Sequence, residues 1–266
     1  MAGGTDSRAV RRRRRLRRLA RGRGGESLIW TVLGAVILAV AVRTLLFQPF
    51  HIPTESMRPT LEDGDYVIAS KWAYGYSRYS LPFAPAVFEG RLFARLPERG
   101  DIVVFRAPQT GGDTYIKRVI GLPGDLVELR AGVVWLNGEP LPRGLIGDEQ
   151  RVTQDDRLIA YGVYEELHPG GAGYAVLDRG SGDLDIFAAR QVPDGHVFVL
   201  GDNRDESRDS RVPPPVGPGF IPLENILGRA ELVLASAGPQ FDIWRPWTWW
   251  RLRPQRFWLS LDPDPA

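Results

Sequence analysis

The sequence predicts a mainly β protein carried on one N-terminal transmembrane helix, and three observations lead there. An apolar run occupies residues 28–42 and resumes at Leu45, Leu46 and Phe47. Beyond it, short runs rich in Val, Ile and aromatic residues alternate with Gly, Asp, Asn and Pro turn signals. Long stretches with the 3.6-residue period of an amphipathic helix are scarce.

The run from Leu28 to Val42 is apolar apart from Thr31. It is short for a span, which takes about 20 residues, but Arg43 can snorkel to the interface and extend the anchor over residues 27–47. Residues 1–26 form an Arg-rich tail with Arg8, Arg11 to Arg15, Arg17, Arg18, Arg21 and Arg23, so the net charge of +2 hides an acidic remainder. Basic segments stay on the cytoplasmic side, which places everything after Phe47 across the membrane. An Arg-rich start, an apolar run and the small triplet Ala39-Val40-Ala41 also fit a cleaved secretory signal. The tract touches anionic lipid by virtue of its position, and nucleic acid is not an expected partner.

Past the anchor, strand-like runs appear at Tyr66–Ala69, Asp101–Phe105, Leu126–Leu129, Val133–Leu136, Val197–Leu200 and Ala230–Leu234. Asn137-Gly138 between two of them reads as a hairpin turn. The stretch from about Arg143 to Gln191 is polar and Gly-rich, an insertion or small second β-region. Residues 241–266 hold five of the eight tryptophans, interleaved with arginines, a composition suited to a bilayer interface or to packing on the core.

The 266 residues contain no cysteine, which excludes disulfides, thiolate nucleophiles and Cys-ligated zinc. Three histidines, His51, His168 and His196, form no metal-ligand pair, so a catalytic base is sought elsewhere. Ser56 lies between Pro53 and Pro59, which predicts an extended ledge. Lys117 lies in Tyr115-Ile116-Lys117-Arg118-Val119-Ile120 and shares a strand face with Tyr115 and Val119. If that face is buried, the ammonium falls from about 10.4 toward neutrality and can deprotonate a serine. If it is not, Lys117 is a solvated strand lysine beside Arg118. A third motif, residues 201–211, is almost wholly polar and reads by itself as a solvated loop.

Together these segments resemble the type I signal peptidases, membrane-bound serine proteases with a Ser/Lys dyad. The resemblance rests on Ser56-Met57-Arg58-Pro59-Thr60-Leu61 after the anchor, Gly64-Asp65-Tyr66-Val67, Arg99 to Phe105, Tyr115 to Asp125 and Gly201 to Arg211, in the family's order. It implies a signal-peptidase-like antiparallel β-sheet peptidase unit with a β-rich cap: catalytic segments 48–130 and 193–240 around a cap at 131–192. It further implies Ser56 as nucleophile, Lys117 as base, Ser207 orienting the lysine, and an oxyanion hole from the Thr54 hydroxyl and the Ser56 N–H. Arg118, Asp202, Asp209 and Arg211 become structural support. Ile52, Pro53, Met57, Leu61, Val67, Val104, Tyr115 and Ile116 become the wall of small pockets for Ala-x-Ala.

The expected activity is removal of signal peptides from exported preproteins at a bacterial-type cytoplasmic membrane, with no metal or organic cofactor. The expected partners are signal peptides and the phospholipid membrane, and the sequence leaves the oligomeric state open. The chain departs from the pattern at Thr54, where Ser is common, at Glu55, where Gly is frequent, and in a Pro-rich insert at 212–218, which reads as a stiff exposed loop. Rival readings are a specialised relative maturing one conjugative pilin-like substrate, a self-cleaving repressor of the related clan, and a non-catalytic membrane scaffold. The repressor would need an N-terminal helix-turn-helix where this chain has a span, and retention of Ser56, Lys117 and Ser207 argues against the scaffold.

Overall fold

A computed structural model of the chain describes residues 28–81, 90–108, 112–152, 158–171, 173–180 and 182–262. The Arg-rich tail lies outside the described residues. The chain divides into two units, residues 1–45 and 46–266.

The first unit contains helix α1 (Leu28–Leu45), whose 18 residues are predominantly apolar, with a mean hydropathy of 2.2, and are unburied. At 1.5 Å per residue it spans about 27 Å, close to the hydrocarbon thickness of a bilayer. The helix stops two residues before the expected anchor end, and Phe47 instead opens a strand. Gln48 precedes Pro49, and the residue before a proline is disfavoured in helical conformation.

The second unit opens with β1 (Phe47–His51), β2 (Asp65–Ser70), β3 (Tyr76–Ser77), β4 (Arg91–Leu92), β5 (Ile102–Arg106) and β6 (Thr114–Gly121). Next come β7 (Leu126–Arg130), β8 (Val133–Leu136), β9 (Glu139–Pro140), β10 (Arg143–Val152), β11 (Leu158–Leu167) and β12 (Gly173–Asp178). The last five are β13 (Phe187–Gln191), β14 (His196–Leu200), β15 (Ile221–Pro222), β16 (Ile226–Ser236) and β17 (Leu259–Ser260).

The main sheet is ordered β1-β2-β16-β5-β6-β14-β15, with β17 added on β16, and its pairings are antiparallel. Its central strands are buried on both faces. On β5, Ile102 and Val104 enter one core with Met57, Leu61 and Val67, while Val103 and Phe105 enter another with Val119, Val197 and Ile226. Burial on both faces explains why these strands read as continuous apolar runs without polar alternation. Pro49, which cannot donate to a ladder, sits on the edge strand β1.

The cap contains two further sheets, ordered β10-β11-β12 and β13-β7-β8-β9. Because β7 already pairs with β8 through the Ala131-Gly132 turn, the expected boundary at residue 131 falls inside a sheet. A third core, with Val127, Leu129, Val134, Val176 and Phe198, joins this region to β14. Asn137 and Gly138 both have positive φ, 56° and 90°, as a two-residue hairpin turn between β8 and β9 requires. In the Pro-rich insert the tip at residues 213–216 is exposed, as expected, whereas residues 217–219 at its base are buried.

The C-terminal segment is not a free tail. Arg253 bonds Glu62 at 2.7 Å, Arg256 bonds Asp65 at 2.6 Å, and β17 pairs with Leu232 and Val233 of β16. Its tryptophans nonetheless point outward, with Trp244, Trp247 and Trp250 at 88%, 72% and 75% exposure. Packing of these three rings in the core is thereby excluded.

Candidate active site

Ser56 lies in the turn region between β1 and β2, and Lys117 on strand β6 of the main sheet. Ser56 follows β1, and its backbone differs from the extended ledge expected. Pro53 holds the approach open, but from Glu55 the chain closes into turns, with Arg58 N–H bonding Glu55 C=O at 3.1 Å and Leu61 N–H bonding Met57 C=O at 2.8 Å. These turns carry Met57 and Leu61 inward, fully buried, and leave Ser56 at the edge of the cleft with 7% exposure.

Lys117 lies mid-strand in β6 opposite Val103 of β5 and is 4% exposed, so the buried reading holds rather than the solvated one. Its Nζ donates to Ser56 Oγ at 2.6 Å and to the Ile116 carbonyl at 2.7 Å. Burial pushes the amine down to about 8, with Asp209 and Asp202 pulling the other way and Arg211 adding to the depression. An amine in that range is partly neutral near neutrality and can accept a proton across a 2.6 Å contact.

The Thr54 hydroxyl lies 3.3 Å from Ser56 Oγ. Among the described residues no backbone carbonyl takes the Ser56 N–H. Both groups are therefore near the nucleophile, as an oxyanion hole needs. Ser207 is placed differently from expectation. Its hydroxyl is buried and helps hold the Asp209 carboxyl down, yet among the described residues it has no partner at full hydrogen-bond geometry and makes no bond to Lys117. In this conformation the Ile116 carbonyl orients the amine.

The expected supporting residues form two separate buried pairs. Arg118 chelates Asp202 at 2.9 and 2.6 Å, and Arg211 chelates Asp209 at 2.8 and 2.7 Å. Thr60 also bonds Asp202, at 2.6 Å, which fastens the loop after Ser56 to the strand carrying Lys117. Gly201 is needed where it stands, since a β-carbon there would lie 2.2 Å from Ser207 Oγ and 2.4 Å from the Ser56 carbonyl.

Several contributors were not singled out from sequence. Asn203 bonds the Ser56 carbonyl through its N–H and the Glu55 carbonyl through its amide, both at 3.2 Å. Glu166 of β11 pairs with Arg204 at 2.5 Å with both side chains almost wholly buried, tying the cap to the 201–211 loop. The charge that Glu55 adds beside Ser56 is met by Arg151 of β10 at 2.5 Å, and Arg58 pairs with Glu149 on the same strand.

A cavity of about 570 Å³ opens over the pair. Ile52, Pro53, Val104, Tyr115 and Ile116 line it as expected. Met57, Leu61 and Val67 do not, for they are completely buried in the core beneath. Phe50, Asp113, Thr114, Glu206 and Arg208 line it instead. The first three were legible as neighbours of β1 and β6, while Glu206 and Arg208 were hidden in a loop that reads as solvated.

A buried serine hydroxyl facing a depressed lysine amine, over an apolar cleft, is suited to acyl transfer. The family model and the sequence relatives agree with that class. A family model described as signal peptidase, peptidase S26, matches residues 26–235. A signal peptidase I of Rickettsia akari is 40% identical over 219 residues, covering 78% of this chain and 78% of that protein. One from Rickettsia prowazekii is 40% identical over 228 residues, covering 81% and 79%. A crystal structure of a signal peptidase I from Enterococcus faecalis is matched with 28% identity and a TM-score of 0.31, covering 51% of this chain and 97% of that one. The chain belongs to the signal peptidase family S26 and is a serine peptidase.

Proposed function

We propose that this protein removes N-terminal signal peptides from exported preproteins by a Ser56/Lys117 mechanism. The contact of 2.6 Å between Lys117 Nζ and Ser56 Oγ carries the reading. Neutral Lys117 takes the Ser56 proton as Oγ attacks the scissile carbonyl, and the developing oxyanion is held by the Ser56 N–H and the Thr54 hydroxyl. Lys117 then passes the proton to the leaving amine, and in the second half deprotonates the water that hydrolyses the Ser56 ester. No step calls on a metal or an organic cofactor.

The apolar wall of Ile52, Val104 and Ile116 supports selectivity for small side chains at alternate positions of an extended peptide, the Ala-x-Ala pattern. Helix α1 is the one membrane span among the described residues, with the basic tail cytoplasmic and the catalytic unit on the far side. The test is to incubate the full-length protein in detergent with a preprotein and map the new N-terminus. Cleavage directly after Ala-x-Ala, lost in Ser56→Ala and in Lys117→Ala, is the expected result. Cleavage that persists in Ser56→Ala overturns the assignment.

A further inference from the structure

Away from the dyad, where the cap meets the 201–211 loop, three carboxylates converge. Asp178 ends β12, Asp185 lies in the short helical turn Asp183–Asp185, and Asp205 lies in the turn Arg204–Glu206. One oxygen from each lies within 4.8 Å of the others, and Asp178 and Asp185 are only 3% and 5% exposed.

Their partners are unequal. Asp178 accepts from Arg143 Nη2 at 2.6 Å and from the Gly180 N–H at 2.7 Å. Asp205 accepts from the Arg179 N–H at 2.7 Å, with the Arg179 guanidinium 3.8 Å away and shared with Glu206. Asp185 accepts through Oδ2 from the Gly182 N–H at 2.7 Å, while its Oδ1 is buried and has no partner among the described residues. Arg143 neutralises Asp178 and Arg179 is divided between two carboxylates, so negative charge is left over.

The backbone is shaped to leave room there. A β-carbon on Gly132, whose φ is 76°, would sit 2.7 Å from Asp178 Oδ2 and 3.6 Å from the unpartnered Asp185 Oδ1. One on Gly182 would sit 2.9 Å from Asp205 Oδ1. Both glycines let the chain approach where a side chain would collide with the carboxylates.

A buried acceptor stripped of water and given no donor is rare in a native protein, and what completes it is a proton, a water or a cation. With three carboxylates around it and no His or Cys donor, we propose that this cluster binds one hard divalent cation, calcium in preference to magnesium. Calcium is favoured because it accepts irregular sets of about six to eight oxygens, whereas magnesium demands near-ideal octahedral geometry and gives up its waters reluctantly. The cation is structural and lies outside the chemistry at Ser56. It bridges the end of β12, the linker into β13 and the turn two residues before Ser207, and so fastens the cap to the loop whose Asn203 seats the nucleophile.

The test uses the full-length protein in detergent, stripped with EDTA and titrated with calcium chloride or magnesium chloride by calorimetry, with thermal melts alongside. The wild type should bind one calcium per chain, bind magnesium at least tenfold more weakly, and melt about 5 °C higher or more with calcium at 100 times Kd. In Asp185→Asn, which keeps the shape and removes the charge, calcium affinity should fall at least tenfold and the calcium-dependent rise in Tm should vanish. Titration of the wild type does not depend on how the variant folds, and absence of one-to-one calcium binding there overturns the proposal. So does an undiminished calcium effect in Asp185→Asn. If Asp185 is completed by a proton, the wild type shows no calcium effect near neutrality and the asparagine variant melts the same with or without the ion.

Discussion

Lys117 offers a prediction with two independent readouts. Its amine is lowered to about 8 from 10.5, chiefly by burial. A base in that position is about one tenth neutral at pH 7, about half neutral at pH 8 and about nine tenths neutral at pH 9. Steady-state cleavage of a peptide substrate should therefore rise about fivefold in kcat/KM from pH 7 to 8 and less than twofold from pH 8 to 9. Stability should move with the same group. Because the folded pKa is depressed, the unfolded chain holds the proton between about 8 and 10.5 while the folded chain has released it, so stability rises with pH through that window. Below it both states are protonated and the cost of the buried ammonium is constant. The linkage is worth roughly 2 to 3 kcal/mol between pH 7 and 10. Lys117→Met removes the titration, so the advantage of this inactive variant over the wild type in urea denaturation should shrink by about that amount across the range. Comparison with the variant cancels tyrosines and other groups that titrate at alkaline pH. A rate that climbs tenfold per unit throughout pH 7–9 would mean an unperturbed lysine and refute the reasoning, as would a variant whose advantage is independent of pH.

Thr54→Ser should be mild and Thr54→Val should lose about 10²–10³ in kcat, the usual cost of one oxyanion donor, in a pre-steady-state peptide assay; near-normal turnover of the valine variant would confine the hole to backbone groups. The outward tryptophans predict membrane contact beyond α1: a truncated chain beginning at Phe47 should bind phospholipid vesicles with a blue shift in emission. Replacing Trp247, Trp249 and Trp250 together by Ala should weaken that binding with circular dichroism unchanged, and undiminished binding would leave α1 as the only attachment.

The strands were legible because their signals are local, whereas Ser56 and Lys117 were singled out together only through the family resemblance. Tyr115, Ile116, Val119 and Ile120 mark a strand whether Lys117 within it is buried or solvated, and Asn137-Gly138 specifies its hairpin by its own backbone preference. What escaped depends on partners distant in sequence. Nothing local tells that β16, near the end of the chain, lies between β2 and β5, or that Glu166 in a polar-looking strand is buried against Arg204. Met57, Leu61 and Val67 were assigned to the pocket wall because an apolar residue beside a cleft and one beneath it carry the same sequence signal. The structure separates them by burial. Ser207 shows the same limit in reverse: the motif places it near the base, while the hydrogen bond that would give it an orienting role is absent from this conformation.

The central claim is that Ser56 carries the acyl group, and it can be tested by catching that group in place. A peptide ester ending its acyl part in Ala-x-Ala, mixed with the full-length protein and quenched in acid within the first turnover, should leave the acyl mass on the proteolytic fragment containing Ser56. The mass should be absent from Ser56→Ala, which should also fail to turn over. An acyl mass on a fragment without Ser56, or sustained turnover by Ser56→Ala, would contradict the account.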